Sequence, residues 1–309
     1  MNERTRKNIS ASVHRRLLNI ARETGRPFNE LLQFFAIERF MYRLSRGPHA
    51  HQFVLKGALM FNVWDRPGSR PTMDIDLLGN ITNDLPVIIH VMREACTLEV
   101  EDDGMWFDAE SMTAGRLMTE SDHEGVRVRI RGALGTARIS LQIDIGFGDV
   151  IVPDPCEVTY PALLDFAPPQ MNGYTMESAI AEKYQAMVKR GALNSRLKDF
   201  YDIWKLGRTF DFDGQVLAEA ITRTFQNRHT PIPADDTAFE AGFMTARDNA
   251  PQWKGFIQKS RLSSAPADFA TVITALKVFL EPPINALAAG QPFRNIWTAP
   301  GPWHPTSGR

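Results

Sequence analysis

What the chain has little of sets the first limits. Cys96 and Cys156 are its only cysteines, too few and too far apart for a disulfide framework or a zinc site. No run approaches eighteen apolar residues, and the opening MNERTRKNIS has no apolar core of a signal peptide. Neither a membrane span nor a leader is expected, and the expected location is cytoplasmic. An excess of one charge is missing too. Thirty-five Lys and Arg against 36 Asp and Glu leave a net charge of −1, which gives no global steering towards nucleic acid or membrane. Internal repeats and low-complexity segments are absent. The histidines (His14, His49, His51, His90, His123, His229, His304) are scattered without ligand spacing. What remains is an ordinary globular composition, and 309 residues allow one large domain or two to three smaller ones.

Charge is uneven locally. Residues 1–50 hold ten Lys/Arg against four Glu, a net of +6, read either as a nucleic-acid or acidic-partner surface or as the solvated faces of amphipathic helices. Ser10 or Ser12 can cap a helix through HRRLLNIARETG that stops at Gly25, and FNELLQFFAIERFMYRLSRG forms a second that stops at Gly47-Pro48. A short helix or turn is expected around FVLKGALMFNVW. Between 121 and 150, VRVRIRG and ARISLQIDIGFGD alternate apolar and polar residues around GALGT, the pattern of a β-hairpin. Its polar faces carry Arg127, Arg129, Arg131 and Asp144. Prolines 153, 155, 161, 168 and 169 mark a linker. Five helical stretches follow, from MESAIAEKYQAMVKRG through DDTAFEAGFMTARDN to ADFATVITALKVFLEP, before a Pro/Gly-rich end that is loosely ordered unless its tryptophans dock.

The chemistry centres on SRPTMDIDLLGN. A strand alternates faces, so Asp74 and Asp76 point one way and Ile75 and Leu77 the other. Two like charges roughly 7 Å apart along one face call for a cation nearby. Upstream, Gly57 in LKGALMF permits a tight turn whose free backbone N–H groups suit phosphate oxygens. A glycine turn, a DxD strand and a third acid, Asp144, are the parts of two-metal phosphoryl transfer, with Mg²⁺ as the hard cation that such oxygens favour. Further on, Lys183, Met187 and Arg190 share a helix face, and Asp199 and Asp202 are i,i+3 neighbours on the next helix, where Asp199 can pair with Lys183 or Arg196. Ser195 can cap that helix. Asp202 is read as structural, bonding backbone or Arg196.

In order and spacing, KGALM, RPTMDIDL, QIDIGFGD, AEKYQAMVKR and RLKDFYDI resemble the AbiEii family, nucleotidyltransferase-like toxins of the polymerase-β superfamily that also includes the MenT toxins. The resemblance spans roughly residues 30–210. It implies a nucleotidyltransferase-like mixed α/β (α+β) sheet core with an N-terminal helical arm and a helical C-terminal half, divided at 1–50, 51–160 and 161–309. It implies nucleotide binding by Lys56, Gly57, Ala58 and Thr72, metal binding by Asp74, Asp76 and Asp144, and catalytic roles for Asp74, Asp76, Lys183 and Asp199. Where relatives carry Gly-Ser or Gly-Gly, this chain has Gly57-Ala58, so phosphate binding would rest on backbone amides. The implied activity is Mg²⁺-dependent transfer of a nucleoside monophosphate from an NTP to an RNA hydroxyl, with tRNA as the acceptor and a neighbouring AbiEi-type antitoxin as partner, in a type IV toxin–antitoxin or abortive-infection setting. The alternatives are a non-catalytic nucleotide- or RNA-binding module of the same fold, and a nucleotidyltransferase acting on a protein or small molecule.

Overall fold

The computed structural model describes residues 3–65, 71–117, 124–191, 196–233 and 250–306. They form two compact units, Met1–Gly148 with Cys156–Gly173, and Asp149–Pro155 with Tyr174–Arg309.

The first unit begins with two helices, α1 (Glu3–Thr24) and α2 (Phe28–Arg46). α1 starts well before the expected caps, so Ser10 lies inside it and its hydroxyl donates to the Gly104 carbonyl at 3.0 Å. Gly25 ends it at φ +69°. α2 is no arm. It buries Leu31, Phe35, Ile37, Phe40 and Met41 completely, a transfer of roughly 1.5–3 kcal/mol for each large side chain. It also takes two of the basic residues inside. Arg39 pairs with Glu38 at 2.7 Å, and Arg43 grips Asp103 with bonds of 2.6 and 3.0 Å. Buried charges persist only when partnered in this way.

The unit's sheet has seven strands in the order β3-β4-β5-β2-β1-β7-β6. These are β1 (Phe53–Lys56), β2 (Asp74–Gly79), β3 (Met105–Leu117), β4 (Gly125–Leu134), β5 (Ala137–Phe147), β6 (Cys156–Thr159) and β7 (Gln170–Gly173). The β2–β5 and β1–β7 pairs are parallel and the rest antiparallel, which makes the sheet mixed, as expected. The hairpin β4–β5 closes through Gly135-Thr136, with Leu134 opposite Ala137 and Gly135 at φ +59°. Val126, Val128, Ile130, Leu141, Ile143 and Ile145 fill the buried face. Two helices, α3 (Met60–Trp64) and α4 (Leu85–Thr97), complete the unit.

Two expectations change here. FVLK is a strand, because Phe53, Val54 and Leu55 are all fully buried in the sheet. The proline-marked stretch is not a plain linker, since it supplies β6 and β7 at the sheet's edge.

The second unit is helical: α5 (Met176–Arg190), α6 (Leu197–Thr209), α7 (Gly214–Asn227), α8 (Ala250–Ser260) and α9 (Phe269–Ala288). Thr175 and Asp213 cap α5 and α7 by accepting from Ser178 N–H and from Gln215 and Val216 N–H. Ser195 and the stretch 235–249 lie outside the described residues. Arg196 stands at the N-cap of α6 without a side-chain capping bond. The C-terminal tryptophans dock. Trp297 donates to the Gly207 carbonyl at 2.6 Å and Trp303 to the Phe279 carbonyl at 2.8 Å, and a three-stranded sheet of β8 (Phe212–Asp213), β9 (Asn295–Trp297) and β10 (Trp303–Pro305) holds that end in place. Among the described residues no helix is long and apolar enough to cross a membrane.

Candidate nucleotidyl-transfer site

Sheet register assembles the first unit's polar residues. Asp76 pairs with Lys56 of β1 on one side and with Asp144 of β5 on the other. Asp144 in turn faces Arg127 of β4. Residues in register point to the same face, so Lys56, Asp76, Asp144 and Arg127 form a row of alternating blocks, plus, minus, minus, plus, across four adjacent strands. Neighbouring strands lie about 4.8 Å apart. Two residues along, Asp74, Gln142, Arg129 and Thr113 form a second row on that face. Ile75 and Leu77 are fully buried on the opposite face, so the hydrophobic pattern fixes the register that exposes both carboxylates.

One cation beside the acids is an arginine. Arg127 holds Asp144 through two bonds, Nε to Oδ1 and a terminal nitrogen to Oδ2, both 2.7 Å, while Gln142 donates more weakly to Oδ2 at 3.5 Å. This fork-to-fork pairing is the strong form of a carboxylate–guanidinium contact. The Asp144 hydrogen bonds hold the guanidinium firmly in its charged form, and the charges on Asp74 and Asp76 add to this. Sequence reasoning placed Arg127, Arg129, Arg131 and Asp144 on one surface, with a salt bridge to one of the arginines as an alternative for Asp144, and Arg127 is the arginine that forms it.

Gly57 abuts the other side of Asp76. It sits at φ +71°, and a Cβ added there would fall 2.1 Å from Asp76 Oδ2 and 2.7 Å from its Cβ and Cγ. Only glycine can occupy that position with Asp76 as it stands. The chain then makes a 3-10 turn over Gly57–Leu59 before the five-residue α3. Ala58 is buried, Lys56 half-buried, and Thr72 lies half-buried on the approach to β2.

At the Asp74 end of the face lies a cleft of about 510 Å³, lined by Asn29, Gln33, Asp74, Arg129 and Gln142 among others. The Gln33 amide stitches its floor, donating to the Met73 and Ser140 carbonyls at 3.3 and 3.0 Å. Arg129 is exposed. Arg131 lies 3.5 Å from Asp108.

The remaining predicted residues assemble in the second unit. Lys183 reaches Asp202 at 2.9 Å and Asp199 at 3.3 Å, and Arg196 takes the other Asp199 oxygen at 2.9 Å. Asp199 therefore pairs with both of its candidates, and Asp202 bonds Lys183. Asp199 and Asp202 are almost wholly buried, with side-chain exposures of 2% and 0%. A second buried cluster in this unit went unforeseen. Arg228 pairs with Asp149 at 2.8 Å and Glu182 at 3.2 Å, and donates to Gln185 at 3.0 Å. Nothing in the local pattern around Arg228 distinguishes it from a solvated helix-end arginine.

The family model described as "Nucleotidyl transferase AbiEii toxin, Type IV TA system" matches residues 39–275. The chain belongs to the AbiEii family. Its class of activity is accordingly nucleotidyl transfer, in a family of toxins from toxin–antitoxin systems. Among solved structures, a putative nucleotidyltransferase from Helicobacter pylori aligns at TM-score 0.41 and 12% identity, over 84% of this chain and 93% of that one. JHP933 from Helicobacter pylori aligns at TM-score 0.39 and 14% identity, over 77% and 98%. The assignment of this AbiEii chain rests on the family model rather than on these distant likenesses. No curated protein matches the sequence.

Proposed function

We propose that this AbiEii protein transfers a nucleoside monophosphate from an NTP to an RNA hydroxyl, releasing pyrophosphate, with the acceptor end of tRNA as the RNA. The observation that carries the reading is the packing of Gly57 against Asp76. A turn that can seat phosphate oxygens on backbone amides is thereby placed beside a carboxylate suited to a cation.

Asp74 and Asp76 are the residues to hold Mg²⁺. They are hard oxygen donors on one face, and Mg²⁺ is commonly held by one or two carboxylates together with substrate phosphates and water. Once bound, the ion supplies charge neutralisation on the phosphates and polarisation at the reacting oxygen. The chain's own part is positioning. Backbone amides at Gly57 and Ala58 seat the triphosphate, Lys56 offsets its charge, and Thr72 lies on the approach to β2. In-line displacement puts the attacking hydroxyl opposite the departing pyrophosphate. With the triphosphate at Gly57 beside Asp76, the acceptor enters along the cleft at Asp74. The acceptor O–P bond forms, the α–β phosphoanhydride bond breaks, and the hydroxyl proton passes to water at the cleft mouth. Lys183, held by Asp199 and Asp202, is proposed as a phosphate-contacting cation. The reading also includes growth arrest by this activity and release by an AbiEi-type antitoxin.

The engagement of Asp144 by Arg127 favours a second reading, a nucleotide- or RNA-binding module without transfer. Incubation with α- and γ-labelled NTPs, total RNA and total protein separates the cases. Label from the α position alone, recovered in RNA, is expected. Label in protein would point to a different acceptor, and nucleotide binding with no transfer to either would establish the second reading.

A further inference from the structure

Resting on the RNA-acceptor reading of this site, we propose that the open face of β3, β4 and β5 is the platform on which the single-stranded end of the acceptor RNA lies. Arg129, Arg131 and Arg138 follow its backbone, and Trp106 stacks on a base. The face is the one that carries the carboxylates. Arg129, Arg131 and Ala133 follow Arg127 at two-residue steps along β4, so all four point the same way. Beyond the row of Asp74 and Arg129, register adds two more rows, Asp108 with Arg131 and Ser140, then Trp106 with Ala133 and Arg138. Phe107, Val128, Ile130, Ile139 and Leu141, which alternate with these residues, are buried on the opposite face.

The side chains of the two outer rows are open to a ligand. Arg129, Arg131, Arg138 and Ser140 are exposed, and Trp106 is 49% exposed. Among the described residues the Trp106 side chain has no ring or hydrogen-bond partner, and no acid pairs with Arg129 or Arg138. Arg131 lies 3.5 Å from Asp108 with its side chain 74% exposed, and a pair that open contributes little. Glu110, in the bulge of β3, meets Arg93 at 3.7 Å. Beyond Asp74 the rows therefore set three arginines against one aspartate, a surplus that suits a polyanion.

The outermost row points to a single strand. Trp106 and Arg138 flank the small Ala133, and an indole and a guanidinium both offer flat surfaces to bases. Unpaired bases can stack on such surfaces, whereas those of a duplex are already stacked on one another. Length agrees. From the row of Arg129 to that of Ala133 is four residues, about 14 Å, which about four stacked nucleotides span at roughly 3.4 Å each. The cleft at Asp74 is itself lined by Arg129, Ser140 and Gln142, so the platform runs into it without a break. The acceptor hydroxyl enters that cleft while the nucleotides before it rest on the strands.

The test is fluorescence anisotropy with a labelled single-stranded RNA of about eight nucleotides, and with the same sequence as a blunt duplex. Wild type, Trp106→Ala, Trp106→Phe and Arg131→Ala/Arg138→Ala are compared, each checked by thermal melting. Wild type should prefer the single strand. Trp106→Ala should weaken that binding about tenfold, the scale of one lost base–aromatic stack, while Trp106→Phe stays within about threefold of wild type. Arg131→Ala/Arg138→Ala should lower the slope of log affinity against log salt by roughly one to two units, and Trp106→Ala should leave that slope alone. Single strand bound by Trp106→Ala and by the arginine variant within about threefold of wild type would overturn the proposal and leave transfer to RNA standing. So would a duplex bound by wild type as tightly as the single strand. Poly-glutamate displacing the RNA at equal charge would reassign the face to an acidic protein. RNA neither bound nor labelled by wild type would remove the acceptor reading itself, and this inference with it.

Discussion

Gly57 and Asp76 are locked together: the space that a side chain on Gly57 would need is already filled by the Asp76 carboxylate. The register of β1 against β2 enforces the relationship, because Lys56, the residue before the turn, is paired with Asp76. A phosphate-seating turn and a cation-binding carboxylate are in this way built as one unit, and moving either moves the other.

Gly57→Ala should therefore damage function more than stability. The left-handed backbone there costs an alanine roughly 1–2 kcal/mol, and the added methyl must displace the Asp76 carboxylate. Misplacement of a reacting group by about 1 Å costs about 10²-fold in rate. Transfer assays and thermal melts on the same preparation should show that split, with a much larger fall in turnover than in stability.

Lys183→Met should cost stability as well as transfer. Its ammonium serves two nearly buried carboxylates, Asp199 and Asp202, and removing one partner of a buried pair destabilises by about 3–5 kcal/mol. Urea denaturation should register a loss of that size. A variant as stable as wild type would mean that the lysine is not needed to hold the α5–α6 pair.

Stability should fall with rising pH across a defined window. Burial pushes the Glu38 carboxyl up to about 7, against the opposing pull of Arg39. Between its unfolded value near 4.5 and about 7, the native state keeps a proton that the unfolded chain has released. The contribution is then full below the lower value and lost on passing the upper one, at most about 3 kcal/mol. Glu38→Gln should flatten this dependence in denaturation midpoints compared at about pH 5 and about pH 8. Arg39 keeps its bond to the Ala167 carbonyl and its contacts with the Tyr42 and Phe166 rings in that variant.

RNA binding should separate two sets of arginines. Arg129 is exposed at the cleft, so Arg129→Ala should lower affinity evenly across sequences and reduce the slope of log affinity against log salt by about one unit. Arg39 and Arg43 are buried in ion pairs, so their replacement should change stability and leave that slope alone.

The sequence made the strands of the site legible and, apart from the Asp199 pairs with Lys183 and Arg196, left its contacts dark. Period-two alternation placed Asp74 with Asp76, and Arg127 with Arg129 and Asp144, because one-sided burial is written into the pattern of Ile, Val and Leu. Helical stretches from Met176 onward were legible in the same way, and Thr175 caps the first of them. Pairing between distant strands has no such local signature. That β5 lies beside β2, bringing Asp144 next to Asp76, depends on which edges meet, whereas the Arg127 pairing follows from the register of the β4–β5 hairpin. The N-terminal basic stretch misled for a related reason. Arg39 and Arg43 read as solvated charges, yet their partners are the adjacent Glu38 and the remote Asp103, and burial cancelled their contribution to any surface. FVLK was too short to show a period and became a strand only because the sheet covers it on both sides.

The account stands most directly on the two carboxylates of β2. The decisive measurement is the rate of transfer of α-labelled nucleotide to RNA by wild type, Asp74→Asn and Asp76→Asn, at matched folded fractions. Each variant should lose at least about 10²–10³-fold, the scale of removing one preorganised electrostatic contact to the transition state. Transfer by either variant within about tenfold of wild type would contradict the account, because the neutral amide would then serve where a metal-holding carboxylate is required.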